Sequence, residues 1–142
     1  MTIVRATSED LPRIRALLAS ANLVANDLTE DALRYFFALV ENGKLIGAVG
    51  LEPYGQVGLL RSLVVAGDAQ QHGFGGALLL AAETLASDLG ISAIYLLTNS
   101  AQAFFGARGY RVVARADAPS SIQHTTQFSA LCPSTAFLMV KP

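Results

Sequence analysis

One cysteine, two histidines and no run of basic residues are what this chain has least of, and each scarcity removes a class of function. A single cysteine cannot close an internal disulfide, which suits a reducing compartment. Cys132, His72 and His124 lie too far apart for metal-site spacing, so no metal is expected. Charged residues make up only 15% with a net charge of −1, which argues against nucleic acid as a partner. The longest apolar candidate for a membrane span, Ala77–Ala86, is too short and carries Glu83. The opening Met1-Thr2-Ile3-Val4-Arg5-Ala6-Thr7 lacks the basic-then-apolar form of a secretory signal. The expectation is a cytoplasmic protein with no membrane contact. What the sequence has in plenty is apolar surface, 52% of 142 residues, enough for one compact domain over residues 1–142.

Periodicity orders the elements. A strand over Thr2–Ala6 is followed by Thr7-Ser8-Glu9-Asp10, a cap and acidic first turn for a helix to about Ala21. Leu11, Ile14, Leu17 and Leu18 form its apolar stripe. A short helix is expected over Thr29–Leu33. Strands over Tyr35–Glu41 and Lys44–Leu51 flank Asn42-Gly43, the strongest short hairpin signal available. Gln56–Val65 reads as a strand, Gly75–Leu89 as a helix ending at Gly90, and Ile91–Thr98 as a buried central strand. A short helix over Ser100–Ala107, a strand over Tyr110–Arg115, a mostly loop segment from Ala116 to about Ser129 and a closing strand over Ala136–Val140 complete the chain. This order predicts an α/β protein with a mixed central sheet of six to seven strands and helices on both faces.

Residues 64–76 carry the chemistry most plainly. An apolar strand runs into Gly67-Asp68-Ala69-Gln70-Gln71-His72-Gly73-Phe74-Gly75-Gly76, and this loop opens the long apolar helix. A helix N-terminus offers unpaired N–H groups and a favourable dipole for an anion, and glycines let the backbone approach it. The loop reads as a phosphate cradle. It lacks the Lys and hydroxyl of the Walker pattern, and Gly73-Phe74-Gly75-Gly76 is not the full dinucleotide fingerprint.

Gln70, Gly73 and Gly75, following Leu63-Val64-Val65, fit a Gln/Arg-x-x-Gly-x-Gly/Ala pattern that resembles the pyrophosphate loop of the GNAT acetyltransferases, which bind acetyl-coenzyme A. The opening Ile3–Pro12 is similar to that family's first strand and helix, and Phe104-Phe105-Gly106-Ala107-Arg108-Gly109-Tyr110 is similar to its late helix. The resemblance covers essentially the whole chain. It implies the GNAT fold, with a V-shaped splay between the fourth and fifth strands where the pantetheine arm lies. Three further stretches, Gly50–Gly55, Leu59–Leu63 and Phe128–Ala136, resemble acetyltransferases of arsenic-resistance operons. They imply detoxification by acetylating a small anionic amine such as arsinothricin or phosphinothricin.

The family resemblance assigns a backbone N–H at Val64 or Val65 to the thioester carbonyl and Leu63 to the pantetheine amides. Gln71, His72, Gly73, Phe74, Gly75 and Gly76 would face the pyrophosphate. Gln70, Gln71 and His72 stand where many relatives carry a basic residue, so backbone amides would bind more of the anion. Phe105 occupies the position where many relatives place a tyrosine that protonates the leaving thiolate, and its ring packs beneath the coenzyme. Tyr95, Tyr110, Ser134 and Cys132 remain as acid candidates. An acyl-Cys132 intermediate is the lesser alternative to direct transfer in a ternary complex.

Glu52, at the end of the third strand in an apolar context, is the candidate base; the alternative is a solvated strand-end carboxylate. Arg61 lies among Leu59, Leu60, Ser62 and Leu63, and a buried arginine needs an anionic partner. That partner is a substrate carboxylate, phosphinate or arsinate held in its fork, or else a structural ion pair with Glu52 or another carboxylate. His124 sits in a polar run, Ser120–Ser129, that reads as a substrate rim or as an ordinary surface connection. The rival functions are acetylation of a peptide, protein or polyamine, and a catalytically silent acyl-CoA sensor. The apolar content permits a homodimer.

Overall fold

Asn42 and Gly43 both take left-handed backbone angles, φ 53° and 75°, as a two-residue hairpin turn requires. They join β2 (Phe36–Glu41) to β3 (Lys44–Tyr54), and β1 (Thr2–Arg5) adds to the other side of β2, all antiparallel. The structure is a computed structural model that describes residues 2–23, 25–70, 72–131 and 136–142. The remaining strands are β4 (Val57–Val65), β5 (Ala93–Thr98), β6 (Arg111–Val113) and β7 (Phe137–Lys141). One seven-stranded sheet results, in the order β1-β2-β3-β4-β5-β7-β6. The mixed character comes from β4 and β5, which pair in parallel over Val57–Leu59 and Ala93–Tyr95, while β7 runs antiparallel to both β5 and β6. The α/β class with a mixed sheet is therefore as the sequence implies.

The chain divides into two compact units, Met1–Glu52 with Leu60–Leu85, and Pro53–Leu59 with Ala86–Pro142. In the first, α1 (Leu11–Ser20) buries Leu11, Ile14 and Leu18, with Leu17 partly covered, against Leu28, Leu33, Phe36, Ala38, Leu45, Ala48 and Val64. Its entry is fixed by Asp10, which accepts the Thr7 N–H at 2.8 Å and Arg13 Nη2–H at 2.5 Å. Burial pushes the Asp10 carboxyl pKa up, and the Thr7 and Arg13 bonds outweigh that, leaving it below the ordinary carboxylate value. The predicted short helix at Thr29 is a 3-10 turn over Asp31–Tyr35.

In the second unit, Leu59, Ala118, Ile122 and Leu138 form the core, packed by Tyr54, Val57, Tyr95, Leu97, Val113 and Phe128. The long helix α2 (Phe74–Asp88) ends at Gly90, φ 78°, with the Ile91 N–H returning to Ala86 O at 2.9 Å. The Ser92 N–H then donates to Gln56 O at 2.8 Å, and β5 begins at Ala93 rather than at Ile91. The helix α3 (Gln102–Gly106) is shorter than the expected Ser100–Ala107. The segment after β6 is not mostly loop. It holds a 3-10 turn at Arg115–Asp117, α4 (Ser120–Gln123) and a wide helical turn at Gln127–Leu131. Pro119 presets the entry to α4, and Thr125 bonds Ile122 O at 2.7 Å while accepting the Phe128 N–H at 3.2 Å. These bonds are local to polar side chains and leave no periodic apolar trace in the sequence.

Two glycines of β3 let neighbours come close. Gly47 makes room for Leu78 of α2, and Gly50 lies opposite Phe36, whose ring carbons would sit 2.2 Å from an added Cβ. Gly50→Ala is therefore expected to destabilise the protein by about 1–3 kcal/mol through overpacking, with part of the loss recovered in Gly50→Ala/Phe36→Leu. Urea midpoints of the wild type and the two variants measure this, and an unshifted Gly50→Ala midpoint would contradict the close approach.

Candidate functional site

The strand–loop–helix unit stands as the sequence implies in its local geometry. β4 ends at Val65, a 3-10 turn covers Gly67–Ala69, and α2 opens at Phe74. Gln70 Nε2–H donates to Val65 O at 3.0 Å, so this side chain braces the turn rather than pointing at a ligand. Gly73 has φ 77°, a conformation L side chains avoid, and an added Cβ there would meet nothing within 4 Å among the described residues. Among those residues the loop is thus open beside its glycine. Ala77 N–H bonds Gly73 O at 3.1 Å, the first helical bond, so the N–H groups of Phe74, Gly75 and Gly76 belong to the opening turn that has no intrahelical acceptor. His72 is exposed, with its ring 5.6 Å from that of Phe74. Gln71 lies outside the described residues, as do Cys132 and Ser134. Leu63 and Val65 are half-buried and Val64 is buried. An anion with a narrow diphosphate group suits this turn, where backbone amides and a helix N-terminus converge and, among the described residues, no atom lies within 4 Å of where a Gly73 Cβ would be.

Arg61 lies in the middle of β4, and its side chain is 2% exposed. Its Nη1 donates to Asp27 Oδ2 at 2.5 Å and its Nη2 to Asp27 Oδ1 at 2.8 Å, a two-pronged contact. Nη1 also donates to Glu52 Oε2 at 2.9 Å, and Nε donates to Ser62 Oγ at 3.0 Å. Beneath, the Phe36 ring centroid lies 5.9 Å from the guanidinium carbon. Burial pulls the Arg61 pKa down, and the bonds to Asp27 and Glu52 outweigh it and raise it above the ordinary arginine value. The fork expected for a substrate anion is taken up by Asp27, so the structural ion pair is the arrangement present. Glu52 is likewise not in apolar surroundings: it faces a guanidinium, with its side chain 22% exposed.

Ser62 explains part of this geometry. Its φ of 60° is left-handed inside a strand, and the two-residue alternation breaks there, with Leu59, Leu60 and Arg61 buried in succession. Asp27 is absent from the residues that sequence reasoning selects. It is one of three acids, with Glu30 and Asp31, in a short polar stretch, and its partner lies 34 residues away, so no local pattern marks it.

The other candidates fall in the second unit. Phe105 is 7% exposed and packs edge-to-face between Phe104 and Tyr110, at 5.1 and 5.6 Å. Tyr110 is buried and Tyr95 half-buried. His124 is exposed and closes the end of α4, its N–H bonded to Ser120 O at 3.0 Å. Among the described residues no group of three or more His, Cys, Asp or Glu could hold a metal ion, and no helix is long and apolar enough to cross a membrane.

Residues 4–110 match the Acetyltransferase (GNAT) family. No curated protein sequence matches the chain significantly. Among solved structures, N-acetylglutamate synthase from Neisseria gonorrhoeae, complexed with coenzyme A and N-acetyl-glutamate, superposes with a TM-score of 0.85 at 24% identity. The match covers 99% of this chain and 34% of that one, so the chain spans about a third of that synthase's length. Rv2747 from Mycobacterium tuberculosis, in complex with CoA and NLQ, superposes at 0.81 with 19% identity, covering 99% and 98% of the two chains. PaiA N-acetyltransferase from Thermoplasma acidophilum, in complex with coenzyme A, gives 0.69 at 18% identity, covering 99% and 97%. These likenesses extend the shared fold over the whole chain.

Removing Arg61 leaves two carboxylates facing one another with little solvent. Arg61→Ala is expected to cost about 3–5 kcal/mol of stability, as breaking a buried pair does, because the uncompensated charges remain. Urea unfolding at neutral pH reads this directly. A loss below about 1 kcal/mol, the range of exposed pairs, would contradict the buried ion pair.

Proposed function

The chain belongs to the Acetyltransferase (GNAT) family, and from that membership we propose that it moves the acetyl group of acetyl-coenzyme A to the amine of a small, anionic amino acid. The observation that carries this is the open turn at Gly73 between β4 and α2, which falls inside the family match and suits a diphosphate. Residues 1–142 act as one acetyltransferase domain in this proposal. The pyrophosphate of the co-substrate takes N–H groups from Gln71 to Gly76, and Leu63 bonds the pantetheine amides. A backbone N–H at Val64 or Val65 polarises the thioester carbonyl.

Both substrates are bound together and transfer is direct. The neutral amine attacks the thioester carbon, the C–N bond forms, and the C–S bond breaks with its electron pair on sulfur. Glu52 takes the proton from the attacking nitrogen. Phe105 has no proton to give, so the coenzyme departs as the thiolate. Passage of the acetyl group through Cys132, with Ser134 beside it in sequence, is the competing route. Arg61 carries Glu52 in this scheme and does not itself grip the acceptor, since Asp27 fills its fork.

The acceptor class rests on two supports. The chain resembles acetyltransferases of arsenic-resistance operons, and the Neisseria gonorrhoeae synthase is complexed with N-acetyl-glutamate. Glutamate and its phosphinic and arsenical analogues, phosphinothricin and arsinothricin, share an α-amine and a distal anion. A second reading is a binding module without turnover, favoured by Phe105 at the position of the family's acid.

Thiol release from acetyl-coenzyme A, measured with glutamate, phosphinothricin, arsinothricin, spermidine and a lysine peptide, tests the proposal. Turnover is expected only with the three amino acids, and confinement to the arsenical would assign a detoxifying role. Turnover only with spermidine or peptide would overturn the acceptor class. Thermal stabilisation by acetyl-coenzyme A without thiol release from any amine would favour the binding module.

A further inference from the structure

Of the chain's arginines only two are not exposed, Arg61 in the first unit and Arg115 in the second. Arg61 meets two carboxylates and Arg115 meets none. Every aspartate and glutamate of the chain lies among the described residues. Asp117, two positions on in the same 3-10 turn, is exposed and forms no ion pair with Arg115. A half-buried guanidinium has lost part of its hydration, and a counter-ion is what ordinarily offsets that loss. Here two backbone carbonyls hold it instead: Nη1 donates to Ala136 O at 3.0 Å and Nη2 to Phe128 O at 3.3 Å. The Phe128 ring covers one face, its centroid 4.5 Å from the guanidinium carbon. Plane and position are thereby set, and three of the five N–H groups have no protein acceptor among the described residues. Nε is one of them, and since no buried side-chain nitrogen among those residues lacks a partner, Nε reaches solvent.

The place suits a ligand. Ala136 directly precedes β7, whose first residue, Phe137, lies opposite Thr98, the last residue of β5. Arg115 is therefore held beside the carboxyl end of β5, a member of the parallel pair, and ligands of open α/β sheets gather at such ends. Phe128 belongs to the wide turn Gln127–Leu131, a conformation that is rare and recurs at functional sites. We propose that Arg115 is the receptor for the acceptor's distal anion, a carboxylate, phosphinate or arsenical oxyanion that takes Nε–H and a neighbouring Nη–H as a fork. The proposal rests on the acceptor being an anionic amino acid, and it supplies the anion contact that Arg61, occupied by Asp27, does not. An anionic acceptor brings the counter-charge that the fold leaves out at Arg115, whereas a neutral group of the same shape brings none.

Glutamate and glutamine differ in this one group, and the ratio of their kcat/KM values as acceptors reads it. The wild type, Arg115→Gln and Arg115→Lys are compared, with thermal stabilisation by acetyl-coenzyme A reporting the folded, coenzyme-binding fraction of each. The wild type is expected to prefer glutamate, and Arg115→Gln to lower the glutamate-to-glutamine ratio about 10-fold to 100-fold. Arg115→Lys keeps the charge without the fork and is expected to lie between the two. A clasp that merely holds Phe128 and Ala136 would scale both acceptors alike. An unchanged ratio in Arg115→Gln, or a wild type indifferent between the two acceptors, would therefore overturn the proposal. Calorimetric binding of phosphinothricin to the protein loaded with coenzyme A reads the same contact without turnover, and Arg115→Gln is expected to weaken it about 10-fold or more. Equal binding by wild type and Arg115→Gln would also overturn the receptor. Arg115-dependent binding with no thiol release would sink acetyl transfer and leave the receptor standing. Neither binding nor turnover of any anionic amino acid by the wild type would overturn the acceptor class, and the receptor with it.

Discussion

A buried arginine is the constraint around which the first unit is organised. The sheet places Arg61 where its side chain is 2% exposed, and a lone charge there would cost several kcal/mol. A carboxylate that meets both prongs of the guanidinium offsets that cost, which requires the connection between α1 and the Asp31–Tyr35 turn to bring Asp27 back over β4. Glu52 supplies a second carboxylate from β3. The stack continues downward, since Phe36 lies under the guanidinium and can lie there only because Gly50 opposite has no side chain. Asp27, Arg61, Glu52, Phe36 and Gly50 form one chain of mutual requirements.

A different constraint governs the C-terminal end of β4, the proposed coenzyme site. In that proposal the backbone does the chemistry, so what matters is room beside the chain and the angle of the chain. Gly73 supplies a left-handed turn with open space beside it among the described residues, and α2 supplies a helix N-terminus. Such a site has little charge of its own: the loop carries Gln70 and His72 where a basic residue would strengthen anion binding. Ser62 links the two ends, because a left-handed residue within β4 re-aims the strand between the arginine and the loop.

The elements legible in the sequence are those with local causes. Asn42-Gly43 specifies its hairpin, the stripe Leu11, Ile14 and Leu18 specifies the buried face of α1, and the glycines after Val65 specify the turn into α2. The start of β5 differs because Gly90 and Ser92 claim Ile91 and its neighbour for a helix end and for a bond to Gln56 O. The short helices near Pro119 and Thr125 escape a periodicity reading because single side-chain bonds hold them. Asp27 is the least legible residue and carries the most. Nothing near it predicts a partner 34 residues on, and only the folded sheet brings the pair together. For the same reason the sequence alone leaves the role of Arg61 open between ion pair and substrate fork.

The most direct test of the central claim is an amide NMR titration of the protein with coenzyme A. The account predicts that the largest shifts fall on Leu63, Val64 and Val65 and on the loop from His72 to Gly76. It also predicts that the Arg61 Nε–H resonance stays in place while its bonds to Asp27 and Glu52 persist. Shifts concentrated elsewhere, with Gly73, Gly75 and Gly76 unmoved, would contradict the assignment of this turn as the coenzyme site.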